Sequence, residues 1–183
     1  YMSSPTPSAK EDKQFLISVA TEFLYEHELL NHLFEEKNIH WADDTFGAFS
    51  MVSRTFENFT GTLSLVPLYK DKEDDTNFIS TLFRKTIAGD KEFDKLIDEK
   101  TKNWELDRIA AMDILLMKMA IAEFMYVSNV PVKVSLNEYI DISKEYSTPN
   151  SKTFINGVLD KIIADLKRDN KIQKTGRGLM EGN

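Results

Sequence analysis

Residues 103–160, NWELDRIAAMDILLMKMAIAEFMYVSNVPVKVSLNEYIDISKEYSTPNSKTFINGVLD, hold one long apolar helix, a short extended link and two further helices with readable start signals. From 106 to 126 there is no Gly and no Pro, and apolar residues recur at both i+3 and i+4. A helix apolar on most sides belongs in the middle of a bundle rather than on its surface. Asp113, Lys118 and Glu123 fall inside the window that a membrane span would need, which excludes a transmembrane reading. At about 100° per residue, Arg108, Asp113, Lys118 and Glu123 spread around the helix instead of lining one face. They are expected to be paired inside the bundle, since buried charges persist only with partners; a polar gap filled by something else is the alternative.

Downstream, Val130-Pro131-Val132 reads as an extended link, because the residue before a proline avoids helical geometry. Ser135-Leu136-Asn137-Glu138 fits a capping box and predicts a helix start there, with Leu136, Tyr139, Ile140 and Ile142 facing inward. That helix ends in the polar turn Ser147-Thr148-Pro149-Asn150-Ser151. The next helix offers Phe154, Ile155, Val158, Leu159, Ile162, Ile163 and Leu166 at i, i+4 spacing. Gly157 within it costs about 1 kcal/mol against Ala, which predicts a close backbone neighbour.

Upstream, residues 1–10 read as disordered, and Ser8 with Glu11 forms a candidate capping box. One helix is expected through Phe15, Leu16, Val19, Phe23, Leu24, Leu30, Leu33 and Phe34. A second, capped by Asp43 or Asp44, carries Phe46, Phe49, Val52, Phe56 and Phe59. Phenylalanines at helical spacing are more often core than stacking platforms. Residues 61–75 read as a loop with an acidic end, KDKEDD. The third helix shows Phe78, Ile79, Leu82, Phe83 and Ile87 and stops at Gly89, read as a left-handed cap. Asp90 begins a fourth, with Phe93, Leu96 and Ile97. Residues 62–69 could pass for a strand, but Pro67 and the lack of a partner demote them. The fold class is all-α, about seven helices in two packed groups. The last twelve residues read as a flexible tail.

With 183 residues the chain can form one domain or two small ones. It has no cysteine, so neither a disulfide framework nor a thiolate metal site is available. No signal peptide is visible, and the protein reads as cytoplasmic. His27 and His32 lack the i, i+4 spacing of a zinc-binding helix, and there is no P-loop, dinucleotide turn or nucleophile elbow. No catalytic residue, cofactor or metal is expected. The net charge of −7 argues against a protein that simply coats nucleic acid. Its one basic run holds Lys161, Lys167, Arg168, Lys171, Lys174 and Arg177; it reads equally as a solvated helix end and as a phosphate contact.

Reading unstacked RNA bases takes cations together with flat or amide side chains. The turn supplies that mixture in one place: Tyr146 can stack, Asn150 and Ser151 can hydrogen-bond, and Lys144 and Lys152 add charge. The competing reading is that Tyr146 only plugs a helix end and that Asn150 or Ser151 only caps the next helix.

Trp104 and Arg108 before an apolar helix, Glu123 within it, then Val130-Pro131, Asn137-Glu138, Lys144, and Ser151 with FINGVLD resemble the C-terminal signature of the NusB family. The resemblance covers roughly the last hundred residues, starting near Phe78. It implies an all-helical, non-enzymatic bacterial antitermination factor. It implies binding to the boxA segment of ribosomal RNA leaders, jointly with the ribosomal protein that acts as NusE. The RNA polymerase elongation complex is a further implied partner, and no membrane is. In the family the turn matching Tyr146 forms part of the RNA surface, and Asp113 and Lys118 match positions near it. The family's arginine-rich first helix has no counterpart here: Glu11, Asp12 and Glu22 stand before Phe23-Leu24-Tyr25, with only Lys10 and Lys13. Either the chain is a divergent member, or the basic part lies on a longer chain. The expected organisation is a disordered 1–10, an N-terminal helical part 11–75 poorly matched to the family, a NusB-like domain 76–168 and a tail 169–183. Two alternatives remain: the NusB-like accessory domain of a ribosomal RNA cytosine methyltransferase, and a helical protein-interaction scaffold without RNA binding.

Overall fold

The structure, a computed structural model, describes residues 8–101 and 109–179. Trp104, Arg108 and the expected start of the long helix at 106 lie outside the described residues. The fold is all-helical, with eight α-helices and no strand among the described residues. The chain divides into two compact units, Tyr1–Lys70 and Asp71–Asn183. No helix among the described residues is long and apolar enough to cross a membrane.

In the first unit, α1 (Ala9–Ser18) starts at the expected capping box: the Glu11 N–H donates to Ser8 Oγ at 3.3 Å, and the Ser8 N–H donates to Glu11 Oε2 at 2.6 Å. The hydrogen bonds from Ser8 hold the Glu11 carboxyl below its usual pKa. The helix runs on as a π-helical segment, Val19–Leu24, and then breaks. The single long helix expected through Phe34 is therefore two, because His27 caps α2 (Glu28–Lys37) by accepting the Leu30 N–H on Nδ1. α3 (Trp41–Glu57) begins before Asp43 and Asp44, which occupy its first turn instead of capping it. Asn31 bridges the helix break to α3: its amide donates to the Tyr25 carbonyl at 2.7 Å and accepts from Trp41 Nε1 at 3.1 Å. Tyr25, Phe49 and Trp41 meet edge to face around that bridge. The phenylalanines are less buried than their spacing suggests: Phe23 is 66% and Phe46 75% exposed.

The second unit begins with α4 (Lys72–Ala88), so the acidic KDKEDD stretch is mostly helix and not loop end. Asp71 caps it, accepting the Glu73 and Asp74 N–H groups, and the acidic first turn suits the positive end of the helix dipole. Leu82 packs inward, whereas Ile79, Phe83 and Ile87 form an exposed stripe. Gly89, between α4 and α5 (Asp90–Lys100), is not left-handed: its φ is −89°. Its missing side chain matters for space instead, since a Cβ there would lie 2.3 Å from the buried Phe93 ring.

α6 (Ala111–Tyr126) is the axis of this unit, with α4, α5, α7 (Val132–Tyr146) and α8 (Ser151–Arg168) packed around it. Its Leu116, Met117, Ala120, Ile121 and Phe124 join Phe93 and Ile97 of α5 and Ile155, Leu159 and Ile162 of α8 in one core. Burial on most sides explains why the helix is so widely apolar, although Leu115 and Tyr126 face outward. α7 starts at Val132, with Pro131 in the capping position. Ser135 is therefore no cap. It sits inside the helix, fully buried, and Ile142 points outward. Gly157 has no close backbone neighbour, and a Cβ there would meet open space.

The stretch after α8 is docked where a free tail was expected, at least over its described residues. Lys174 Nζ donates to the carbonyls of Glu123 and Val127 at the end of α6, and the Thr175 N–H donates to the Ser128 carbonyl at 2.9 Å. A short 3-10 turn, Gly176–Leu179, follows, and Gly178 is buried so tightly that a Cβ would fall 2.0 Å from the Ser128 oxygen.

Candidate nucleic-acid interface

The turn joining α7 to α8 is built from short hydroxyl side chains around one carboxylate. α7 ends at Tyr146, where the Ser147 N–H still reaches the Ser143 carbonyl at 3.1 Å. α8 begins at Ser151, whose N–H bonds the Thr148 carbonyl at 2.9 Å. Asp113, in the first turn of α6 and 4% exposed, lies beneath. Ser147 Oγ donates to one of its oxygens, and Ser151 Oγ donates to the other at 2.8 Å. With its own proton committed to Asp113, Ser151 Oγ accepts from the Thr148 N–H at 3.1 Å and meets Thr148 Oγ1 at 2.7 Å. A buried carboxylate with both oxygens engaged avoids the penalty of an unpaired buried charge, and it fixes the turn to the central helix.

Fixing the turn from below leaves its other groups facing outward. Lys144, Tyr146, Asn150 and Lys152 are all exposed, Tyr146 by 51%. Lys144 pairs with Asp141 one turn earlier in α7. Asn150 occupies the capping position of α8, yet its side chain makes no capping hydrogen bond. Below it lies a cavity of about 300 Å³.

Of the seven residues singled out from sequence, Lys144, Tyr146, Asn150, Ser151 and Lys152 come together at the turn. Asp113 joins them as its buried anchor, not as an exposed contact. Lys118 does not join them: it faces α5, with its ammonium 2.5 Å from Asp90 and 2.8 Å from Asp94. Burial works against its charge, yet the two carboxylates outweigh that and hold the ammonium above its ordinary pKa. Each charge of α6 thus has a partner. Glu123, 6% exposed, accepts from Ser135 Oγ at 2.5 Å and from the Tyr139 hydroxyl at 2.7 Å. Burial, reinforced by the Glu123 carboxylate, pushes the Tyr139 hydroxyl far above its usual pKa. Burial also pulls the Lys174 ammonium below its ordinary value, against the attraction of Glu123.

Sequence reasoning missed Ser147 and Thr148 as working parts of the turn; the run of hydroxyl residues at a helix junction was the available signal. The basic run, which begins inside α8, is partly paired within the unit, with Arg168 on Asp165 and Asp169, Lys171 on Glu92 and Arg177 on Asp74. Among the described residues no group of three or more His, Asp or Glu is arranged to hold a metal ion. Of the three histidines, His27 is a helix cap and His32 pairs with Glu36 on the same helix.

Residues 60–164 match the model of the NusB family. A transcription antitermination protein NusB of Salinibacter ruber is 46% identical over 115 residues, 63% of this chain and 71% of that protein. One from Chloroherpeton thalassium is 42% identical over 105 residues, 57% of this chain and 50% of that protein. A solved structure described as T. maritima NusB superposes with a TM-score of 0.49 at 22% identity, covering 88% of this chain and 94% of that one.

Proposed function

The chain belongs to the NusB family, and from that membership we propose that it works as a transcription antitermination factor whose α7–α8 turn contacts single-stranded RNA. The RNA is the boxA segment of ribosomal RNA leaders, and the chain binds it jointly with the ribosomal protein that acts as NusE, within the RNA polymerase elongation complex. Its role is to bind and not to catalyse. The observation that carries this reading is the construction of the turn. Asp113 holds Ser147 and Ser151 from below, so Lys144, Tyr146, Asn150 and Lys152 are displayed on a rigid loop. Preorganised display limits the ordering penalty of binding. Tyr146 supplies a stacking face, Asn150 hydrogen bonds, and Lys144 and Lys152 phosphate contacts, while Ser151, buried with its hydroxyl on Asp113, acts as part of the anchor and not as a contact. Asp113 serves by positioning the turn and Lys118 by locking α5 onto α6.

The test is a titration of the chain, alone and with the ribosomal partner, against labelled boxA RNA at low and moderate salt. Tyr146→Ala and Lys152→Ala are run beside the parent. Binding that strengthens with the partner and drops in both variants supports the reading. In addition, Lys152→Ala should reduce the slope of log K against log salt by about 0.7, the contribution of one phosphate contact to a single strand. Absence of binding by either route, with the helical circular dichroism intact, sinks it.

A further inference from the structure

We propose that the cleft between the start of α7, the second half of α8 and the stretch that follows is a binding site for a small aliphatic carboxylate, a short acyl chain with one anionic end. The cleft lies within the second unit and is independent of the RNA-binding reading. It encloses about 380 Å³, inside the range of about 300–1,000 Å³ typical of small-molecule sites. Its floor is aliphatic: Val132, Leu136, Ile163 and Ile172 are all half-buried and packed against the core. Among the described residues no aromatic ring lines it, so it offers a nucleobase no face to stack on.

The charged residues of the cleft give the ligand its sign. Lys133 and Lys167, both exposed, line it together with Asp160, and half-buried Lys174 joins them, so three cations stand against one carboxylate. Lys174 carries the argument. Both hydrogen bonds of its ammonium go to neutral carbonyls, those of Glu123 and Val127, and no carboxylate pairs with it among the described residues. The Glu123 carboxylate attracts it, but both of its oxygens are taken by Ser135 and Tyr139. An ammonium has three donors, which leaves the third without an acceptor. Burying a charge without a counter-charge is unfavourable, and burial indeed lowers the pKa of this one. An anion in the cleft supplies both the missing charge and the missing acceptor. A purely apolar ligand would leave the ammonium unmatched, and a bare phosphate would leave the aliphatic floor wet. An acyl carboxylate satisfies both.

Amide NMR spectra of the whole chain, titrated with octanoate, octanamide and inorganic phosphate, test this. Octanoate should shift the signals of Ile172, Lys174 and Gly178 and of the first turn of α7. Octanamide, the same chain without the charge, should bind on the order of tenfold more weakly, the worth of one charge-assisted hydrogen bond. Phosphate should be weaker still. Lys174→Met should bring octanoate down to the affinity of octanamide. Because that change also removes the donor to two carbonyls, a second variant is run beside it. Lys133→Glu with Lys167→Glu alters only exposed positions, should keep the parent's circular dichroism, and should weaken octanoate while leaving octanamide unchanged. Equal affinity for octanoate and octanamide, or for octanoate and phosphate, overturns the proposal. So do shifts confined to the first unit, or no shifts at all.

Discussion

Asp113 and Ser151, 38 positions apart, meet at 2.8 Å, and through that bond the central helix of the second unit dictates the shape of an exposed turn. Both residues are buried, while Tyr146, Asn150 and Lys152, which lie beside Ser151 on the same turn, are exposed. Replacing Asp113 with Ala leaves the Ser147 and Ser151 hydroxyls without their acceptor. The expected loss is about 1–3 kcal/mol of stability, read by chemical denaturation. RNA affinity should fall as well, by more than Lys152→Ala produces, because the whole turn loosens. A variant as stable as the parent would remove the anchor from the account.

Tyr139 provides a pH test. Its folded-state pKa is raised by burial and by Glu123, above the ordinary value of 10.0. The neutral hydroxyl is thus the form the fold favours. Its contribution is fully present below pH 10 and is lost as pH rises above it, when the unfolded chain ionises first. Each pH unit in that window removes about 1.4 kcal/mol. Tyr139→Phe should be less stable than the parent at neutral pH, since Glu123 loses a donor, and the gap should narrow at that rate above pH 10. A gap that stays constant up to pH 11 would mean the hydroxyl is not buried against Glu123.

Lys118 separates stability from recognition. With its ammonium shared between Asp90 and Asp94, Lys118→Met should cost about 1–2 kcal/mol by leaving two carboxylates of α5 without their cation. The folded variant should bind RNA as the parent does. A clear loss of RNA affinity at unchanged stability would place this lysine at the interface after all.

Gly178→Ala asks how firmly the stretch after α8 is held. The new Cβ would sit 2.0 Å from the Ser128 carbonyl oxygen, so the segment has to move. Loss of about 1–3 kcal/mol is expected, as for other overpacked sites. Hydrogen exchange at the Thr175 amide, which now bonds Ser128, should accelerate first.

The central helix was legible because its composition is extreme: only a core position accommodates apolar residues on every side, and charges there demand partners. Which partners they find was not legible, since Ser135, Tyr139, Ser147 and Ser151 reach α6 from 12 to 38 positions away. Ser135-Leu136-Asn137-Glu138 misled for a related reason. A serine three residues before a glutamate has the pattern of a cap, but Glu123 claims that hydroxyl inside the bundle, and Pro131 starts the helix earlier. Gly89 was read through backbone freedom when the operative constraint is the Phe93 ring. The outward stripe Ile79, Phe83 and Ile87 defeated a rule that is right on average, because spacing marks a helical face and not what covers it. At the turn, the exposed residues could be named from type and order. Their anchor could not be assigned that role, because nothing local links Asp113 to Ser151.

Lys174 closes the C-terminal end of α6 from 47 and 51 positions downstream. A polypeptide is made from its N-terminus, so α6 leaves the ribosome before the residue that satisfies its final carbonyls has been added. Until then the Val127 carbonyl is left to water, the Glu123 carbonyl has only the Val127 N–H, and the Glu123 side chain lacks the Lys174 cation. These contacts bind two stretches distant in sequence, as a latch does. Weakening that latch should speed the unfolding of the finished unit much more than it slows the first collapse.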